Sequence, residues 1–167
     1  MHEIARAAGI GQGTLYRRYA HKGLLCMALI DESVRHFHAT VTTHLADDAA
    51  PALDQLDYFL ASLVAFMDDN AALLAAMADA ACGERRDMAR TNPFAHWLHG
   101  TVATLLARGV ARGEIAPLDI APAADLVLAP LAIDLYLHQR QRRGYSADRI
   151  LATVRHILFD GLRAPRA

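Results

Sequence analysis

Apolar side chains recur along this chain at intervals of three and four residues, and runs of strict alternation are missing, so helices are expected throughout. Ile4, Ala5 and Ala8 share one face of a short helix that Gly9 can end in the left-handed conformation. A second short helix covers Thr14 to Tyr19. A longer one begins near Lys22 and carries Leu25, Leu29, Val34 and Phe37 toward Leu45. The "DDAAP" stretch interrupts the rhythm, with Asp48 as candidate N-cap of the next helix. From Pro51 to about Asp68, Leu53, Leu56, Leu60, Leu63, Val64 and Met67 form a single stripe. Asn70 is the candidate cap of a following helix that ends near Gly83, and "GERRDMAR" reads as a solvated link.

Asn92 followed by Pro93 predicts a helix start, because proline in the first turn gives up a donor that has no partner there anyway. That helix runs through Trp97, Val102, Leu105 and Leu106 to about Arg112, where Gly113 stops it. A long helix over Pro122 to Arg142 should kink at Pro130, and Ser146 should cap the last one with Asp148 on its N-terminal dipole. The expected architecture is all-α, with about eight helices and no internal repeat.

Composition narrows the class. Hydrophobic residues make up 54% of the 167 and charged residues 21%, which suits a core-burying chain. The net charge is -1, so any nucleic-acid contact must come from a local patch. Cys26 and Cys82 stand in apolar surroundings without CxxC spacing, as free buried thiols would. Apolar runs such as "AALLAAMADAAC" are short for a bilayer, and no signal-peptide pattern opens the chain, so the expectation is a cytoplasmic protein with no membrane partner.

The spacing from Ala5 to Leu15 is that of a helix-turn-helix. Small Ala5 admits the second helix, Gly9 makes the turn, and Ile10 and Leu15 are expected to pack beneath the pair. Gln12, Thr14, Arg17 and Arg18 then point outward, where they suit base edges and phosphates. Tyr16, Tyr19 and Lys22 can reach phosphate oxygens. Within residues 1–25, Arg6, Arg17, Arg18 and Lys22 face a single acid, Glu3. A solvated helical hairpin is the alternative that spacing alone leaves open.

The residue identities add to this. "IARAAGIGQGTLYRRYAHKGLL" closely resembles the DNA-binding signature of the TetR/AcrR family of bacterial transcriptional regulators. The matching positions are Ile4-Ala5, Ala8-Gly9-Ile10, Gly13-Thr14-Leu15-Tyr16, Tyr19, and Lys22 with Leu25. The resemblance implies that Gln12, Gly13 and Thr14 meet bases while Tyr16, Tyr19 and Lys22 clamp the backbone; Arg17 and Arg18 fall where the family varies. It implies a helix-turn-helix DNA-binding segment with its connecting helix over 1–45, and a helical ligand-binding and dimerisation domain over 46–167. Family members carry one more helix before the position of Met1, and the pattern favours a start upstream of it. Without that cover, Ile4, Ala8 and Leu15 are expected to expose apolar surface, at about 1.5–3 kcal/mol for each large side chain.

Other motifs carry less. "GIGQG" lacks the strand and acid of a dinucleotide loop and the Lys-Ser/Thr of a phosphate loop. His96 and His99 are three apart but have no third ligand nearby in sequence, and no nucleophile–base set stands out, so neither metal, cofactor nor catalysis is expected. Phe59, Phe66, Met67, Met77, Phe94 and Trp97, with His96 or His99 as polar anchor, fit either plain core or the effector cavity that the resemblance implies. Leu126, Leu131, Ile133, Leu135, Leu137, Ile150, Val154, Ile157 and Leu158 make the last two helices apolar enough for a homodimer, the symmetry a palindromic double-stranded operator requires. The functional expectation is a regulator, a repressor released by a small, largely apolar effector. The alternative is a helical dimer that binds a ligand or titrates an intact homologue without touching DNA.

Overall fold

The computed structural model describes residues 1–80 and 93–162. The helices in chain order are α1 (His2–Ala7), α2 (Gln12–Arg18), α3 (Lys22–Leu45), α4 (Ala52–Asp69), α5 (Ala71–Ala80), α6 (Pro93–Ala111), α7 (Ile120–Leu128), α8 (Ile133–Leu137) and α9 (Ala147–Leu162). A 3₁₀ turn, Ala129–Leu131, and a π turn, His138–Arg142, flank α8. The helix end expected at Gly83, the GERRDMAR link, Asn92 and Cys82 lie outside the described residues.

Apolar side chains gather in two clusters. The small one holds Ala5, Leu15 and Leu25, with Met1 and Tyr19 against it. The large one is centred on the α4 stripe, where Leu56, Phe59 and Leu60 are fully buried against Val102, Leu105 and Leu106 of α6. α3 belongs to both: Leu25 enters the first cluster, while Ile30, Phe37 and Val41 enter the second. Spanning 24 residues, α3 is about 36 Å long.

Glycine turns set two of the helix ends. Gly9 (φ 66°) donates to Arg6 O, and Ile10 donates to Ala5 O. Gly113 (φ 73°) and Glu114 repeat the pattern onto Val110 O and Gly109 O. These are Schellman caps, which need the left-handed conformation that glycine adopts without a Cβ clash. Ser146 Oγ accepts from Arg149 N, as expected for the cap of α9.

Several local expectations are corrected. Asp48 does not cap α4; its carboxylate accepts from Arg108 Nη1 at 2.9 Å, and the amide of Leu53 is taken instead by Glu114 Oε2, 61 residues on. Asn70 stands at the start of α5, where its main-chain carbonyl accepts from Leu74 N at 3.0 Å, but its side chain turns back to the end of α4, donating from Nδ2 to Phe66 O at 2.8 Å. Pro130 does more than kink a helix. It opens the 3₁₀ turn, Ala132 becomes extended (ψ 134°), and a new helix starts at Ile133. Proline lacks the N–H that would continue the ladder. The stretch Ile120–Arg142 spans 23 residues and contains a window of 18 with mean hydropathy 1.6, long and apolar enough by length and composition alone to cross a bilayer, contrary to the expectation of short runs only. Leu15 is buried rather than exposed, whereas Ile10, expected beneath the helices, is 42% exposed; Ile4 and Ala8 are exposed as expected.

Replacing Leu56 by alanine should lower the unfolding free energy by about 2–5 kcal/mol in denaturant melts. Leu29→Ala, at a site 56% exposed, should change it by less than about 0.5 kcal/mol.

Candidate nucleic-acid interface

The turn at Gly9 sets α2 across α1, and Leu15 is the only buried residue of α2. Fixing that one side chain in the small cluster turns the rest of the helix outward: Gln12, Gly13, Thr14, Tyr16, Arg17 and Arg18 are all exposed. Tyr19 is half-buried, with the Arg18 guanidinium 5.8 Å from its ring centroid. Arg17 Nη2 donates to Thr14 Oγ1 at 3.3 Å, and His2 Nδ1 lies 3.1 Å from Gln12 Oε1.

Lys22 is exposed at the first turn of α3. Sequence reasoning gave His21 no role, yet its Nδ1 accepts from Leu24 N at 3.3 Å and caps that helix. The expected DNA-contacting residues therefore stand on one short helix and at the start of the next, and the positive ends of both helices belong to that region.

The residues expected around an effector also come together. Phe37 of α3 joins them: its ring centroid is 5.0 Å from Phe66, 5.9 Å from Phe94 and 5.8 Å from Trp97. Phe59 stands 6.2 Å from Trp97, and His38 4.4 Å from it. Phe59, Phe66 and Met67 are buried, Met77, Phe94 and Trp97 half-buried, and His96 exposed. Between the two candidate anchors, His99 has a partner, with Nε2 3.5 Å from Asp125 Oδ1 on α7. Phe37 was visible as an α3 stripe residue, but its place among the rings depends on α3 packing against α4 and α6. Among the described residues no group of three His, Cys, Asp or Glu side chains is placed to hold a metal.

Two surface grooves lie elsewhere. One of about 350 Å³ runs between Pro130, Gln139 and the α9 residues Ile150, Val154 and Ile157. The other, about 310 Å³, lies between Leu53, Asp57 and Arg155.

The bend from α4 into α5, 76°, is tied to the last helices by a polar knot. Arg140 grips the Asp68 carboxylate from Nε (2.7 Å) and Nη2 (3.1 Å) and donates from Nη1 to Tyr145 O (2.8 Å). Tyr136, fully buried, donates to Asp68 Oδ1 at 3.2 Å. Burial first, and the Asp68 charge second, push the Tyr136 phenol up to about 12. The hydrogen bond to Asp68 raises the Arg140 guanidinium further, so it stays charged.

Known proteins share this arrangement. A TetR-family transcriptional regulator, PfmR from Thermus thermophilus, superposes with a TM-score of 0.69 over 98% of this chain and 87% of its own, at 18% identity. A Clostridium perfringens protein described as a candidate regulator of fatty acid metabolism superposes at 0.68, over 98% of this chain and 88% of its own, at 17% identity. The chain has the TetR-family fold. No protein-family model matches it. In sequence, the HTH-type transcriptional regulator SAR0097 of Staphylococcus aureus (strain MRSA252) is 32% identical over 71 residues, which cover 42% of this chain and 37% of that protein. Within the TetR-family fold, α1 and α2 are the helix-turn-helix and α3 is the helix that joins it to the larger bundle.

An alkaline titration should probe the Asp68 knot. An unfolded tyrosine ionises near pH 10, whereas Tyr136 holds its proton to about 12, so the folded state retains a proton that the unfolded state has lost. Stability present below pH 10 should fall as pH rises from 10 to 12, by on the order of 2 kcal/mol. Tyr136→Phe should remove most of that fall in denaturant melts at successive pH values.

Proposed function

We propose that this chain is a DNA-binding transcriptional regulator, a repressor that releases its operator when a small, largely apolar molecule enters the larger bundle. The observation that carries the reading is the exposed polar row on α2, seated on a helix, α3, whose other half ends among aromatic rings. On this reading residues 1–45 contact DNA and residues 46–167 bind effector and dimerise, in the cytoplasm.

Gln12, Gly13 and Thr14 meet base edges, Tyr16, Tyr19 and Lys22 hold phosphates, and Arg17 and Arg18 add charge. The effector site is the ring cluster of Phe59, Phe66, Met67, Met77, Phe94 and Trp97, with His96 at its rim. A ligand there must displace Phe37 or the rings against it. Phe37 sits about 21 Å along α3 from Gly23, so a small rotation at the cluster becomes a displacement of several ångströms at α2. The ligand shifts the balance only through its differential affinity for the two poses.

Leu126 (69% exposed), Leu135 (41%) and Ile157 (67%) leave large apolar side chains uncovered on α7, α8 and α9. Soluble chains bury such faces, and a two-fold dimer through them would set two α2 helices against a palindromic duplex.

Two experiments test the reading. In gel shifts against duplex DNA, log affinity should fall linearly with log salt with a slope of several units, and Arg17→Ala should reduce that slope by about 1 per chain. Failure to shift any duplex at low salt would sink the regulator reading and leave a helical dimer that does not touch DNA. In sedimentation, the double variant Leu126→Asp, Ile157→Asp should run as a monomer and bind duplex at least about tenfold more weakly; an unchanged dimer would refute this interface.

A further inference from the structure

The groove of about 350 Å³ lies where the helical run out of α7 breaks, at Pro130. α9 supplies much of its wall through residues three or four apart, which share one face of a helix. Ile150 and Val154 are buried there and form the floor, Thr153 is exposed, and Ile157, 67% exposed, stands up as a rim. Arg149 is the one cation in the lining.

Leu126 is its counterpart. At 69% it is the most exposed large apolar side chain among the described residues. It precedes Pro130 by four residues, so the two share one side of the chain, about 6 Å apart along the helix axis. Side chains on a helix lean toward its N-terminus, so Leu126 leans away from the groove of its own chain. A projecting side chain and a hollow thus stand side by side on one surface. An isologous pair needs that arrangement: a two-fold axis between knob and hollow brings each knob into the other chain's hollow, and the contact occurs twice. Asp125, its side chain 77% exposed, flanks the knob while Arg149 flanks the hollow, so the same docking brings opposite charges toward each other. A small ligand in the groove would leave Leu126 in water, whereas a second copy of the chain covers both.

We propose that the groove beside Pro130 is a socket for Leu126 of the partner subunit. The inference rests on the dimer reading above and adds the contact that sets its register. Each socket is incomplete in the single chain and is filled only by the second copy.

Disulfide trapping with the full chain tests this. Leu126→Cys and Thr153→Cys are prepared separately, mixed and oxidised, so that only a bond between chains can join the two sites. The mixture should give several times more covalent dimer than either variant alone or than the wild type, which controls for Cys26 and Cys82. Sedimentation gives a second readout, and because both sites are exposed in the single chain, neither change touches its core. Leu126→Ala should raise the dimer Kd at least about tenfold, and Thr153→Phe, which fills the socket, should do the same. Combined, the new ring takes the space the leucine has left, so the double variant should dimerise more tightly than either single one. A wild type that sediments as a monomer would remove the dimer reading and this inference together. A wild-type dimer with no excess of mixed covalent product, or one that neither single variant weakens, would leave the dimer standing and overturn the socket, pointing to a small apolar ligand in the groove instead.

Discussion

α3 has to satisfy two apolar clusters at once, and the rest of the structure is arranged around that constraint. Leu25 is committed to Ala5 and Leu15, while Ile30, Phe37 and Val41 are committed to the bundle. Both commitments lie on one continuous helix without an interior proline, so the two clusters cannot turn independently. The first is small, three buried residues with two more beside it, and fixes α2 by the single side chain of Leu15. Economical anchoring of this kind leaves nearly the whole of α2 on the surface. The second cluster sets rings from α4 and α6 against Phe37 of the same helix.

The far end of α3 is held by polar groups instead. Arg112 donates from Nη1 to Ala50 O at 2.9 Å and from Nη2 to Asp48 O. Gln55 Nε2 donates to Asp47 O at 2.6 Å, and Arg108 pairs with Asp48. Cationic and amide donors at this loop satisfy carbonyls just beyond the C-terminus of α3, where helix carbonyls lack partners and the dipole is negative. Gly109 leaves room for the side chain of Ile115: a Cβ there would stand 2.5 Å from Ile115 Cδ1, whereas Ala52 Cβ of α4, at 3.4 Å, would be in ordinary contact.

A bidentate pair, Arg155 to Asp57 at 2.5 and 2.7 Å, joins α9 to α4, and the Asp68 knot joins α4 to the segment after the Pro130 break. The first is part-exposed, so its main effect is orientation rather than stability. Together they hold α7 to α9, whose outer face keeps Leu126, Leu135 and Ile157 uncovered, in a fixed relation to the α4 stripe.

The helical periodicity, the turn at Gly9, the cap at Ser146 and the stop at Gly113 were legible in the sequence, because each depends on residues within one turn of the chain. The outward row of α2 was legible for the same reason once Leu15 was taken as the buried side chain. Asp48, Asn70 and Pro130 were not. Asp48 is claimed by Arg108, 60 residues away, and the start of α4 is capped by Glu114. The Asn70 side chain turned toward the helix behind it rather than the one ahead. At Pro130, Tyr136 and Arg140 are anchored on Asp68, so the chain after the proline is held by α4 and restarts as a new helix. Sequence by itself determined the helices outside the Pro130 break and which face of α2 is polar, since both follow from local periodicity. Only the tertiary structure decided that Phe37 of α3 stands against rings of α4 and α6 and that His2 lies against Gln12, because those contacts exist only after separate helices have been packed against one another.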